Sequence, residues 1–194
     1  MPAKTPVQRD SIRRDLRQRR ARLGRARRQV LSSQICQHIA ALPEYRTAQH
    51  LAMYLAIGSE VDLDLLLTGD PPPAAIWLPR VVDQQMVFAA WQAGEPLEQT
   101  SLGTRQPTAA APLREATAVD LVLLPLLGFD GAGNRLGQGG GYYDRTFSFM
   151  LPERRHTPQL WGVAFDCQRL ASIEAEAWDV PLHGVITDQG SLRF

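Results

Sequence analysis

A chain of 194 residues, 44% of them hydrophobic, has the size and apolar content of one domain with a single core, and no stretch reaches the ~18 apolar residues of a membrane span. The net charge of +1 hides an asymmetry: up to Pro43 there are 11 basic and 2 acidic residues (+9), and the remainder carries −8, so the amino-terminal part is expected to face something anionic. Cys36 and Cys167 lack the spacing of a disulfide framework or zinc site; with no apolar h-region at the start, a cytoplasmic setting is expected, although an Arg-rich, acid-poor opening also has transit-peptide composition.

The first forty residues read as two basic helices. Ile12, Leu16 and Leu23 form the first apolar stripe after Asp10 and Ser11; Leu31, Ile35, Ile39 and Leu42 form the second, with Gly24 as the break and Pro43 as the stop. Short apolar runs follow at His50–Ile57, Ala75–Leu78, Met86–Ala90, Leu121–Leu124, Trp161–Phe165 and Gly184–Thr187. Several are apolar on both faces, the mark of strands in a covered sheet. Asp62–Leu67 and Tyr142–Met150 read as helices between them, and Pro71–Pro73 as a rigid connector. Gly94–Thr117, rich in Pro, Ala, Gly and Thr, reads as a long surface loop. The expected fold is α/β: a three-layer sandwich with a central, mostly parallel sheet flanked by helices and two basic N-terminal helices, residues 1–194 forming one domain.

One segment carries most of the chemistry. Arg135-Leu136-Gly137-Gln138-Gly139-Gly140-Gly141-Tyr142-Tyr143-Asp144-Arg145 follows an apolar strand and a turn at Asp130–Asn134. Four glycines in five positions let the backbone approach a ligand closely, and the N–H groups opening the next helix favour an anion. No Gly-Lys-Ser/Thr follows, so this is not a Walker A loop. Arg135 and Arg145 are suited to phosphate oxygens and Asp144 to a divalent cation, a combination that fits a magnesium nucleotide better than a bare anion.

The whole run, placed after a strand with Gly128-Phe129-Asp130, resembles the 5-formyltetrahydrofolate cyclo-ligase (5,10-methenyltetrahydrofolate synthetase) family. The resemblance continues through Leu42-Pro43-Glu44-Tyr45, Tyr54-Leu55 with Glu60, Leu78-Pro79-Arg80-Val81, Asp120–Leu124, Gly162–Asp166 and Val185-Ile186-Thr187. It implies ATP- and Mg2+-dependent conversion of 5-formyltetrahydrofolate to 5,10-methenyltetrahydrofolate with release of ADP and phosphate. Carried over residue by residue, it implies that Arg135, Leu136, Gly137, Gln138, Gly139, Gly140, Gly141, Tyr142 and Tyr143 hold the ATP phosphates and that Asp144 binds magnesium. It also implies that Arg9 (usually Lys in the family) and Arg13 reach the nucleotide, and that Leu55 and Glu60 contact the folate. Tyr143 and Arg145 are the expected catalytic pair.

Asp179 aligns with a metal-binding acid of the family, here after Trp178 and before His183, where a polar residue and a second acid are usual. Outside the resemblance, Glu60 reads equally as a capping or surface acid, and Asp179 as a turn residue before Pro181. Trp77, Trp91 and Trp161 read as core aromatics, His38 and His50 lack ligand partners, and no folate contact is assigned to Gly103–Pro107. The expected partners are a reduced folate, with or without a polyglutamyl tail, and Mg-ATP, with no membrane and no specific nucleic acid; the chain is expected to act as a monomer. Two rivals are a nucleic-acid module built on the Arg13–Arg28 cluster and, on the same fold, a sugar-phosphate or acyl-CoA enzyme or a folate-binding protein that has lost catalysis. The first lacks interleaved aromatics for base stacking, and the second does not call for the Gly-Tyr-Tyr-Asp-Arg ending.

Overall fold

The computed structural model describes residues 6–68, 74–83, 85–100, 103–151 and 158–194. The expected connector at Pro71–Pro73 lies outside them. In chain order the elements are α1 (Pro6–Arg22), α2 (Arg25–Ala41), α3 (Pro43–Thr47), β1 (His50–Ala52), α4 (Asp64–Leu67), β2 (Ala75–Val82), β3 (Gln85–Ala90), β4 (Leu97–Gln99), β5 (Arg105–Pro107) and β6 (Leu113–Arg114). There follow β7 (Leu121–Pro125), β8 (Gly128–Phe129), β9 (Arg135–Leu136), α5 (Tyr142–Thr146), β10 (Gln159–Val163), β11 (Gly184–Thr187) and β12 (Gly190–Arg193).

Eight strands form one sheet in the order β12-β11-β10-β7-β1-β2-β3-β6. The five central strands, β11 to β2, are parallel, while β12 and β3 run against them and β6 is antiparallel to β3. Because side chains alternate along a strand, consecutive residues supply opposite cores. Leu51, Leu121, Leu123, Trp161 and Val163 meet Leu31, Ile35 and Ile39 of α2 on one face. Ala52, Val122, Leu124, Leu160 and Val185 meet Phe147 and Met150 on the other. The result is the mostly parallel α/β sheet with N-terminal helices, and Trp77, Trp91 and Trp161 are buried in it. No helix among the described residues is long and apolar enough to cross a membrane.

The chain moves one way from β1 to β2 and the other way from β7 to β10, so the strand order reverses between β1 and β7. In open α/β sheets the carboxyl ends of strands at such a reversal frame a crevice, since the outgoing segments part there. After β1 the chain leaves the sheet at Met53, and Gly58, at φ +63°, turns it towards Glu60. After β7 it forms the small β8–β9 hairpin and then the glycine run. Gln168, fully buried, donates to the carbonyls of both Leu126 and Leu127 and so satisfies the backbone at that departure.

Several expected elements differ. The strand expected at His50–Ile57 ends at Ala52: Met53 makes one last bond to Trp77 O, Tyr54 stays buried on the α2 side, and the chain then rises to the exposed Ile57; hydrophobicity alone does not separate strand from such an exit. Gly94–Thr117 is not a plain surface loop: β4 and β5 form a hairpin and β6 extends the sheet beside β3. Its Pro- and Gly-rich composition conceals short pairings held from outside, as Arg80 on β2 donates to Pro107 O (3.1 Å) and pairs with Glu98 (3.3 Å). The helix expected at Asp62–Leu67 starts at Asp64, whose N–H Asp62 accepts. The one expected at Tyr142–Met150 breaks after Thr146 into a short 3-10 turn, Ser148–Met150.

The turn at Asp130–Asn134 is built around a carboxylate only 2% exposed. Asp130 Oδ1 accepts from Ala132 N and Asn134 N, and Oδ2 from Asn134 Nδ2 and Ile173 N. Burial alone would raise its pKa, but these donors outweigh it and hold the carboxyl below the ordinary 3.8. A depressed carboxylate stabilises the fold above its ordinary titration range and loses that contribution as pH falls. Asp130→Ala is expected to cost about 3 kcal/mol at neutral pH by orphaning buried donors, and the gap between variant and parent should shrink on acidification; chemical denaturation at several pH values measures both.

Candidate functional site

Helix α1 lies across the β8–β9 hairpin rather than on the main sheet. Leu16, fully buried, packs with Leu127 and Leu136, and a Cβ at Gly128 would come within 2.8 Å of the Leu16 side chain. That close approach sets the helix beside the glycine run, so its arginines look onto the run's backbone. Arg13 Nε donates to Gly137 O (3.1 Å), while its Nη1 pairs with Asp10 (2.7 Å). Arg17 donates through both Nε and Nη2 to the Gln138 side-chain oxygen.

The segments leaving β1, β2 and β7, together with α1, enclose a cavity of about 650 Å³. Every residue singled out from the sequence borders it: Arg9 and Arg13 from α1, Leu55 and Glu60 after β1, the whole run from Arg135 to Arg145, and Asp179. Gly139 (φ +109°) and Gly141 (φ +65°) adopt backbone that other residues rarely hold. Helix α5 has only five residues, so an anion here would rely on loop N–H groups more than on a helix dipole.

Where the segment from Glu174 to Val180 meets the glycine run and α1, charges are already paired. Arg135, buried, bonds Val180 O and Asp144 Oδ1, and Asp144 Oδ1 also accepts from Val180 N (3.2 Å). Arg9 donates to Glu174 O and faces Glu176 (3.6 Å) and Asp179 (3.5 Å). Asp179 in turn accepts from Glu176 N (2.9 Å). Arg145 is exposed, donates to Gly140 O (2.8 Å) and lies over the Tyr142 ring at 5.0 Å. Tyr143 stacks on Phe147 (6.5 Å between centroids); burial first and the Glu60 charge second raise its pKa, so it remains a phenol donor.

Glu60 is 8% exposed, and its carboxylate accepts from Ile57 N (3.1 Å) and Gln138 Nε2 (3.2 Å). Because Arg17 occupies the Gln138 oxygen, the amide must present its NH2 to Glu60, so a residue of the glycine run orients the carboxylate. Burial raises the Glu60 pKa above 4.5, opposed by the Ile57 bond, by the Arg20 charge and by Gln138.

Among the described residues there is no cluster of three or more His, Cys, Asp or Glu able to hold a metal unaided. Asp144 and Asp179, hard oxygen donors on one cavity, do suit magnesium, which keeps several waters and is completed by phosphate oxygens. The sequence reading missed the part of the lining that comes from the β2–β3 edge and the β4–β5 hairpin: Pro79 and Val81 in the second half of β2, Met86 on β3, and Thr104, Arg105 and Gln106 on and before β5. It also missed Trp178, 63% exposed at the cavity edge. Val81 and Met86 are ordinary strand residues in the sequence; only the antiparallel β2–β3 pairing brings that wall to the site.

The 5-formyltetrahydrofolate cyclo-ligase family model matches residues 5–188. A 5-formyltetrahydrofolate cyclo-ligase of Haemophilus influenzae is 30% identical over 186 residues, covering 92% of this chain and 96% of that protein. One of Escherichia coli (strain K12) is 28% identical over 177 residues, covering 89% and 96%. The solved structure of Aquifex aeolicus 5,10-methenyltetrahydrofolate synthetase superimposes with a TM-score of 0.83 at 26% identity, covering 95% of this chain and 92% of that one.

A buried acid with a raised pKa favours the fold most when protonated, and that contribution is lost as pH rises through the raised value. Glu60→Gln mimics the neutral form. Its stability relative to the parent should therefore improve as pH rises from below 4.5 towards neutrality, read from the pH dependence of the Tm difference.

Proposed function

The chain belongs to the 5-formyltetrahydrofolate cyclo-ligase family, and from that premise we propose how its cavity carries out the reaction. The activity is conversion of 5-formyltetrahydrofolate to 5,10-methenyltetrahydrofolate in an ATP-dependent ligase reaction. The observation that carries the assignment of this cavity is that Glu60 and the glycine run border the same space and are bonded to each other through Gln138.

A formamide carbon is a weak electrophile and its oxygen a poor leaving group. In the proposed sequence the formyl oxygen attacks the γ-phosphorus and ADP departs. N10 then adds to the formyl carbon and loses its proton, and the C–O bond breaks to release phosphate carrying the former formyl oxygen. No protein nucleophile is needed, so catalysis rests on positioning and charge neutralisation. Gly137, Gly139, Gly140 and Gly141, with Gln138, Leu136 and Tyr142, form the backbone cradle of the phosphates, and Arg9, Arg13, Arg135 and Arg145 supply positive charge. Of the four, Arg135 acts mainly by orienting Asp144, its partner.

Tyr143, kept protonated by burial, donates to a phosphate or formyl oxygen. Asp144 and Asp179 would hold magnesium, which when bound neutralises phosphate charge. Glu60 accepts from the pterin's ring N–H and amino groups, with Leu55 against the ring. One chain supplies every residue named, which supports a monomeric single-domain enzyme, and the free Cys36 and Cys167 support a cytosolic setting.

The test is the near-ultraviolet absorbance of the methenyl product with 5-formyltetrahydrofolate present and Mg-ATP supplied or withheld. Product is expected only with both. Arg145→Ala and Asp144→Asn should each lower turnover by more than about tenfold without changing the Tm by more than a few degrees; full ATP-dependent activity in either variant removes that residue from the mechanism.

A further inference from the structure

Five arginines border the cavity. Four stand with the glycine run or α1 and have partners there: Arg9 with the Glu174–Asp179 segment, Arg13 with Gly137, Arg135 with Asp144, Arg145 with Gly140. The fifth, Arg105, is on β5 and exposed; its side chain makes no hydrogen bond or ion pair among the described residues, and its charge reaches only as far as Asp64, where it partly offsets the burial that raises that carboxyl's pKa. Its backbone is nonetheless well anchored. It pairs with Gln99 across the β4–β5 hairpin, and the neighbouring Gln106 accepts from Val81 N (3.3 Å) and donates to Glu98 (2.9 Å). A pre-positioned, solvent-facing guanidinium on a cavity wall is a receptor for a planar anion.

Two large aliphatic side chains border the same cavity near Glu60 and Arg105: Ile57, whose N–H bonds Glu60, is 52% exposed, and Val81, whose N–H bonds Gln106 next to Arg105, is 38% exposed. The cavity therefore offers an acceptor for ring N–H groups with an aliphatic side chain beside it, and a cation with another aliphatic side chain beside it. A reduced folate carries the matching parts: pterin, p-aminobenzoyl ring, glutamate.

Resting on the folate reading above, we propose that Arg105 is a specificity-determining residue that binds a carboxylate of the substrate's glutamate tail, with Ile57 and Val81 covering the p-aminobenzoyl ring. The glycine-run arginines are thereby left to the phosphates, and the two anionic ends of the ternary complex are kept on separate elements. The first tail residue contributes through Arg105, and further glutamates extend past it into solvent.

The experiment compares 5-formyltetrahydrofolate with the carboxamide of 5-formyltetrahydropteroate, in which a neutral amide replaces the glutamate, on the parent, Arg105→Ala and Arg105→Lys. In the parent, KM for the carboxamide should be about tenfold higher than for the folate. Arg105→Ala should raise KM for the folate by a similar factor and leave that for the carboxamide unchanged, with kcat and the KM for ATP retained; Arg105→Lys should recover much of the loss. Equal losses on both substrates, or a rise in the ATP KM instead, would overturn the proposal. If the parent makes no methenyl product from either compound, the cyclo-ligase reading fails separately. Calorimetric binding of p-aminobenzoylglutamate against p-aminobenzamide then decides for Arg105: glutamate-dependent affinity lost in Arg105→Ala supports its role, and affinity indifferent to the substitution overturns it.

Discussion

The hydrogen bonds to one buried carboxylate hold the site's framework together. Asp130 closes the β8–β9 turn and simultaneously holds Ile173, from a segment 43 residues further along the chain. Gly133, inside the same turn, accepts from Leu182 N. The stretch between Ile173 and Leu182 is therefore fastened at both ends to the hairpin that opens into the glycine run, and it brings Glu176, Asp179 and Val180 against Arg9, Arg135 and Asp144. A charged group that buried is favourable only because its acceptor capacity is met by N–H donors.

The charge asymmetry has a local explanation once α1 is in place. Arg9, Arg13, Arg17 and Arg20 point to carbonyls, a glutamine, a serine and carboxylates of the same chain. Arg20 is buried, and desolvation lowers its pKa, opposed by the nearby Glu60 charge. The basic helix thus serves as the inner lining of an acidic body as much as a surface for anions. Solvent-exposed pairs such as Arg19 with Asp15 contribute little by comparison.

What was legible in the sequence divides by the range of the interactions involved. The helical stripes of α1 and α2 and the runs that became β3, β7 and β11 are local patterns, and they formed as expected. The segment from Arg135 to Arg145 was legible because its glycines and charges are contiguous. Glu60 was found through the family resemblance alone, since nothing in its neighbours shows that Gln138, 78 positions away, will bond to it. Arg105 and Val81 escaped because their wall depends on an antiparallel edge and a three-residue hairpin, pairings whose stabilisation comes from contacts such as Arg80 with Pro107 and Glu98. β12, paired to β11 around Gly190, is similarly short and half exposed, with too weak an alternation to announce a strand.

The internal ion pairs of the cavity give association a particular character. Arg135 with Asp144 and Arg9 with Asp179 are two salt bridges whose partners the proposed mechanism assigns to a magnesium nucleotide, cation to phosphate and carboxylate to metal. A guest carrying both signs of charge would enter such a space as a double displacement, trading partners with the host. These two pairs bring the pocket close to self-neutralised along that wall, which leaves little net charge there for mobile counterions to balance. Salt should therefore weaken the nucleotide complex far less than the +9 of the first forty-three residues would suggest.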